Sequence, residues 1–157
     1  MSLLWALRIG ALLTLVVPVR VGYWLCRSIG IAVFLLHHRA RRNVLDNLRH
    51  VCPRCSAWWR YRQAVRVFIT AVMNYYDLVR LRSVDRERLR DLVEVRGWEH
   101  VEAAVSRGRG VIVISAHLGN FNVVAQYPAA LGFEAAIVVE RVRPARLFAY
   151  LSRLRSA

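Results

Sequence analysis

Apolar residues fill the first 36 positions of the chain and recur with changing periods after that. Residues 3–36 contain no acidic residue, but Pro18 and three arginines interrupt them. No uninterrupted apolar run therefore reaches the roughly 18 residues of a membrane-spanning helix. Two structures fit this pattern: a tilted or broken helix whose arginines reach the head groups, or a helical pair lying in the interface. Both predict a membrane-embedded or interfacial segment over residues 1–36.

Residues 37–91 are predicted to form a basic helical region. Val44, Leu45 and Leu48 share one face of a helix over residues 41–51, which a proline then ends. Apolar residues at three- and four-residue steps predict a longer helix over 57–82, with Ser56 as its cap. The polar residues that follow, up to position 91, are interpreted as a connector.

From residue 92 onwards, short apolar runs alternate with amphipathic stretches. The predicted elements are strands over 92–97, 110–116 and 133–141, and helices over 98–108, 120–131 and 144–156. Such alternation is typical of a parallel, right-handed βαβ sheet. Three strands are fewer than the five to six of a mean sheet. The expected class is therefore α/β, with residues 92–157 forming the N-terminal part of an incomplete, truncated core.

The charge of the chain indicates an anionic partner. The formal net charge is +14, and all 24 residues counted as lysine or arginine are arginines. Arginine binds phosphate through two parallel hydrogen bonds, so phospholipid head groups, nucleic acid and phosphate-bearing substrates are all considered. The apolar N-terminus and the lack of a nucleic-acid motif argue against nucleic acid. By the positive-inside rule, the basic segment 37–50 predicts that the body lies on the cytoplasmic face of the inner membrane.

Two cysteines in the sequence CPRC, residues 52–55, have C-x-x-C spacing. A structural zinc site would need two further ligands at similar spacing, and none follows. No metal site is predicted, and the two cysteines are interpreted as incidental to the end of a helix at Pro53.

His117 follows the apolar run of the stretch VIVISAHLGNFNVV, residues 111–124. The end of a buried strand is where α/β proteins place chemistry. On position alone, a structural histidine is the alternative. Asn122 comes five residues later, in the first turn of the predicted helix. It could fix the imidazole tautomer and leave the other ring nitrogen free as a general base.

The string SAHLGNFNVV resembles the H-x4-D/E box of the lysophospholipid acyltransferase superfamily. It is most similar to the bacterial branch of late lipid A and phosphatidylinositol mannoside acyltransferases. RRNVLDNL (41–48), NYYDLVRL (74–81) and VVERVRP (138–144) agree with this branch. The resemblance covers essentially the whole chain.

The resemblance implies an O-acyltransferase. His117 would deprotonate an acceptor hydroxyl, which attacks the thioester of acyl-coenzyme A or acyl carrier protein. These are co-substrates, and no cofactor is expected. Arg141 and Arg143 would bind the developing oxyanion or a phosphate of the acceptor, with solvated surface charge as the alternative. Gly119 and Asn120 are candidates for substrate binding or for the turn alone.

The acid position of the box holds Asn122 in this chain. Asparagine can hold the imidazole ring, but it carries no charge to stabilise imidazolium. In serine proteases the comparable Asp-to-Asn change lowers the rate by roughly 10⁴. Two functions are therefore kept: transfer of a fatty acyl group to a lysophospholipid, glycolipid or lipid A-type acceptor, or a truncated or degenerate non-catalytic homologue that binds anionic membrane lipid. Membrane lipids are partners in both.

Overall fold

The computed structural model describes residues 3–81, 84–116 and 118–155, and the regular structure in these ranges is helical. In chain order the helices there are α1 (Leu3–Val16), α2 (Val19–Leu36), α3 (His38–Val51), α4 (Ala57–Arg80), α5 (Arg86–Leu92), α6 (Trp98–Val105), α7 (Phe121–Val124), α8 (Tyr127–Ala130) and α9 (Ala145–Arg155). The chain divides into two compact units. The first comprises Met1–Ser83 and Arg141–Ala157, and the second comprises Val84–Glu140.

Among the helix pairs of the first unit, α2 and α4 pack against each other most extensively. The buried positions of α2 follow one another at four-residue steps and so form one face of the helix: Gly22, Cys26, Gly30 and Phe34. Three of these four side chains are small, which lets two helix backbones approach closely. The first unit is thus organised by a face of α2 that carries little side-chain volume.

Two apolar clusters complete the first unit. One lies where α2, α3 and α4 meet and contains Phe34, Ala64 and Phe68, with partly buried residues of α3 around them. The other joins α4 to α9: it contains Leu78 and Val79 with Leu147, Leu151 and Leu154. The leucines of α9 recur at steps of four and three, as expected for an amphipathic helix.

The helices α1 and α2 also leave large apolar side chains exposed. The exposed residues include one stripe on each helix: Trp5, Ile9, Leu12 and Val16 on α1, and Val21, Trp24, Ile31 and Leu35 on α2. The helix α2 also exposes Val19, Leu25, Ile29, Val33 and Leu36. Pro18 separates the two helices. Although Arg20 and Arg27 lie within it, α2 is long and apolar enough to cross a membrane by length and composition. Such stripes would be costly in water and favourable in lipid.

The second unit is held by contacts between its short helices. The Arg90 guanidinium donates from Nε and Nη2 to the carbonyl of Ala130, at 3.0 and 2.7 Å, and so fixes the end of α8 to α5. The Trp98 ring of α6 packs edge-on against Tyr127 and Phe133, with centroids 5.4 and 5.7 Å apart.

The helix α5 occupies much of the stretch that was expected to be a polar connector. The Asp85 side chain accepts a hydrogen bond of 2.7 Å from the Arg88 backbone N–H and caps the helix. Glu87 adds an acidic residue to the first turn, where it complements the helix dipole. A local cap, together with this charge, therefore makes a helix out of a segment with no apolar stripe of its own.

The predicted parallel βαβ sheet is wrong, because the described residues contain no β-strand. The three predicted strands are irregular in the structure. Ile112 and Ile114 are each 91% exposed, and Val138 is fully exposed. Over the described ranges, these runs make no ladder of backbone hydrogen bonds with another segment. An apolar run becomes a strand only when a neighbouring strand pairs with it, and the expectation assumed that pairing.

The predicted helices fare better than the strands. Those over 41–51, 57–82, 98–108 and 144–156 correspond to α3, α4, α6 and α9, with ends that differ by a few residues. The one over 120–131 is divided into α7 and α8, and the latter has a proline in its first turn. The apolar periodicity of a helix lies within one stretch of chain, so it can be recognised in a single sequence.

Candidate active site

The turn before α7 carries the residues predicted to form the catalytic box. His117 itself lies outside the described residues. Gly119 has a φ of +65°, in the left-handed region that glycine adopts without steric cost. A Cβ built on Gly119 would meet no atom within 4 Å. The backbone conformation, and not a shortage of room, therefore accounts for glycine at this position.

Asn120 starts the single turn of α7. Its carbonyl accepts hydrogen bonds from the backbone N–H groups of Val123 and Val124, at 3.2 and 3.4 Å. Asn120 is thus the N-cap residue of α7, although its side chain makes no capping bond. Gly119 and Asn120 together redirect the chain from the irregular apolar run into a helix.

Asn122 lies on α7 and is 7% exposed. Among the polar residues that the structure describes, Asn122 alone is buried as a whole residue, although single polar atoms of other residues, such as the Tyr76 hydroxyl, are buried too. A buried amide without hydrogen bonds would cost about 1–3 kcal/mol, so such groups are retained where they have partners or a role. The structure thus brings Gly119, Asn120 and Asn122 into one turn, and it buries the residue at the acid position of the box.

Arg141 and Arg143 belong to the first unit, in the segment that precedes α9. Both side chains are exposed. Glu140, which directly precedes Arg141, is also exposed and belongs to the second unit. The expected approach of the two arginines to His117 stays a prediction.

The loop between α3 and α4 contains a disulfide that the sequence reasoning missed. Cys52 and Cys55 are bonded, with their Cα atoms 5.4 Å apart. The interpretation of these cysteines as incidental is therefore wrong. The C-x-x-C spacing was the available signal, since two cysteines three residues apart can close a disulfide across one turn.

A polar cluster lies between α2 and α4. The Tyr23 hydroxyl donates to Asp77 Oδ1 at 2.6 Å, and the rings of Tyr23 and Tyr76 meet edge to face with centroids 5.4 Å apart. The Tyr76 hydroxyl is buried and has no hydrogen-bond partner among the described residues. Burial raises the pKa of the Tyr76 phenol. The NYYD motif of α4 thus packs this helix against α2.

The described ranges contain no group of three or more His, Cys, Asp or Glu side chains that could hold a metal ion. Asn120 and Asn122 in the box carry amide side chains, which suit hydrogen bonding to a neutral imidazole or a substrate.

Comparison with known proteins identifies the family. No curated protein and no solved structure matches the chain. The family described as bacterial lipid A biosynthesis acyltransferase matches over residues 1–157, the full length of the sequence. This confirms the resemblance read from the HLGNF string and its flanking motifs. The chain belongs to the bacterial lipid A biosynthesis acyltransferase family.

Proposed function

We propose that this lipid acyltransferase family member transfers a fatty acyl group from acyl-coenzyme A or acyl carrier protein to a lipid hydroxyl. The acceptor is a lysophospholipid, a glycolipid or a lipid A-type molecule, and His117 is the general base. One observation carries the proposal: Asn122 is buried in the turn of α7, at the position that the family box reserves for the acid.

In this mechanism His117 takes the proton of the acceptor hydroxyl, and the hydroxyl oxygen attacks the thioester carbonyl. The tetrahedral intermediate then expels the thiolate, which receives the proton from the imidazolium. The Asn122 Oδ1 atom can accept the second imidazole N–H and hold the tautomer. Because an amide is neutral, it stabilises imidazolium less than a carboxylate would.

The arginines before α9 are proposed to bind negative charge during the reaction. Arg141 and Arg143 are exposed and can offer planar pairs of donors. Donors of this kind stabilise the oxyanion of the intermediate or bind the phosphate of an acceptor. Gly119 and Asn120 shape the turn that faces the substrate.

The lipid substrates suit a protein held at a membrane. The exposed apolar stripes of α1 and α2 offer a surface for lipid contact, and α3 follows them with exposed arginines at positions 39 and 42. Basic residues next to an apolar segment favour the cytoplasmic side. We therefore place the body of the protein on the cytoplasmic face of the inner membrane.

The test is acyl transfer by the full chain in detergent, with labelled acyl-coenzyme A and acyl carrier protein against a panel of lipid acceptors. His117→Ala should lower the rate by about 10²–10⁴-fold, as removal of a general base does. Asn122→Asp should raise the rate, because a carboxylate stabilises the imidazolium. His100→Ala, at an exposed histidine of α6, is the matched control and should leave the rate unchanged.

Full activity in the His117→Ala protein would exclude His117 as the base. If no variant transfers an acyl group while all bind vesicles of anionic lipid, the non-catalytic homologue is the correct interpretation. A rate that falls in the Asn122→Asp protein would show that the amide, and not a missing carboxylate, is what the site uses.

A further inference from the structure

We propose that Cys52 and Cys55 form a reversible dithiol–disulfide site that exchanges electrons with a dithiol reductant. The two residues are joined in the loop between α3 and α4. Both are partly exposed, and the residues beside them in the loop, Pro53, Arg54 and Ser56, are exposed. An incoming thiol can therefore approach the bond from solvent. This inference is independent of the acyl-transfer proposal.

Hydrogen bonds that do not involve the two sulfurs also hold the loop. The Cys52 N–H donates to the Leu48 carbonyl at 3.0 Å, and the Cys55 N–H donates to the Cys52 carbonyl at 3.2 Å. The Arg60 Nη1 group lies within 3.4 Å of the Cys52 and Pro53 carbonyls. A cross-link over so short a loop also constrains the unfolded chain little. The disulfide therefore adds little to the stability of the protein. We infer that its role is reversible redox chemistry.

The electrostatic surroundings of the two sulfurs differ. Cys55 lies just before Ser56, the N-cap of the 24-residue helix α4, whose dipole is positive at this end. Cys52 is the C-cap residue of α3, where the dipole is negative. The nearest acid before the loop, Asp46, is already paired with Arg49 at 2.6 Å. These surroundings favour the thiolate at Cys55 over the thiolate at Cys52.

This asymmetry sets the direction of exchange. A thiolate of the reductant attacks Cys52 Sγ and forms a mixed disulfide, while Cys55 Sγ leaves as the more stable thiolate. The second thiol of the reductant then attacks the reductant sulfur that is bonded to Cys52 Sγ, and this attack releases Cys52. The reductant ends as a disulfide, and its two electrons and two protons end on Cys52 and Cys55.

The first experiment counts thiols in the folded protein. The full chain carrying Cys26→Ser is equilibrated in detergent with mixtures of reduced and oxidised dithiothreitol, quenched with acid and labelled with a maleimide of known mass. We expect two thiols to appear together, to disappear on return to oxidised buffer, and to leave the helical circular dichroism unchanged. A bond that persists in excess dithiothreitol, that never forms in oxidised buffer, or whose loss unfolds α3 and α4 would overturn the proposal.

The second experiment compares the two thiols. At pH 7, iodoacetamide should alkylate Cys55 in the C26S/C52S protein about threefold faster than Cys52 in the C26S/C55S protein. Equal rates for the two cysteines would overturn the assignment of Cys55 as the leaving thiolate.

Discussion

Gly30 lies on the buried face of α2, where the backbone of α4 passes directly beside it. A Cβ at Gly30 would be 2.6 Å from the Ile69 Cα atom and 2.9 Å from the Ile69 nitrogen. These are backbone atoms of a helix, so they cannot rotate away as a side chain could. At this residue the close packing of the first unit depends on the absence of a single carbon atom.

Replacement of this glycine should therefore loosen the helix pair. We expect Gly30→Val to lower the free energy of unfolding by about 1–3 kcal/mol, the usual cost of overpacking a filled interface. The measurement is denaturant unfolding in detergent, followed by circular dichroism. Gly10→Ala is the matched control, because a Cβ at Gly10 meets nothing within 4 Å. It should be neutral or stabilise the protein by up to about 1 kcal/mol. Equal midpoints for the two variants would show that α2 does not pack this closely.

Two helix caps show what a single residue reveals in the sequence. Ser56 was predicted to cap α4, and its hydroxyl accepts from the Trp59 N–H at 3.1 Å. Asp85 makes the same kind of bond at the start of α5, but no apolar stripe follows it, and the segment was expected to be a connector. A cap is readable from sequence when periodicity supports it, and is overlooked when it stands alone.

Elements that form through local contacts were predicted more reliably than those that need a distant partner. Each of the helices α2, α3, α4, α6 and α9 has its apolar periodicity within one stretch of chain. The apolar runs over 110–116 and 133–140 have none of the pairing that a strand requires. A sheet is assembled from segments far apart in sequence, so the apolar character of one run could not determine whether it would pair.

Backbone amide exchange tests this difference between elements. The amides of 110–116 and 133–140 lack a hydrogen-bonded ladder over the described ranges, and we expect them to exchange deuterium within seconds at neutral pH. Those of α4 should be protected far longer, because the helix carries buried residues on its inner face. The measurement is hydrogen–deuterium exchange read by mass spectrometry of peptides. Slow exchange across both apolar runs would contradict the irregular structure described for them.

At the scale of the whole molecule, the chain combines an excess of arginine with an apolar N-terminal segment. The net charge of +14 reflects 24 basic and 10 acidic residues. Two exposed arginines of α3, Arg39 and Arg42, follow α2 directly in the chain. Each basic residue near an anionic membrane surface contributes about 1 kcal/mol of attraction. The position of these charges, and not their total alone, should then govern binding to lipid.

Vesicle binding separates position from total charge. The double variant R39Q/R42Q should bind vesicles that contain phosphatidylglycerol about thirtyfold more weakly at low salt, the equivalent of two basic contacts. The double variant R107Q/R109Q removes the same charge from exposed positions of the second unit and serves as the control. The difference should vanish at 1 M salt, where screening acts within about 3 Å. Equal losses in both variants would assign the attraction to net charge alone.

The candidate site was accessible from the sequence only in part. The HLGNF string identified the family and the residues of the box, because a catalytic motif is a short contiguous pattern. Its surroundings were not readable in this way. The burial of Asn122 at 7% exposure is a property of the folded chain, and no local pattern distinguishes a buried asparagine from an exposed one.

The sequence by itself determined the family, the basic charge, the apolar N-terminal segment and most of the helices. Each of these follows from composition, from a contiguous motif or from a period within one stretch of chain. Only the tertiary structure decided that the predicted strands stay unpaired in the described residues, that Gly30 lets α2 pack on α4, and that Cys52 bonds to Cys55. These outcomes depend on which atoms meet in space, and one sequence read alone does not record that.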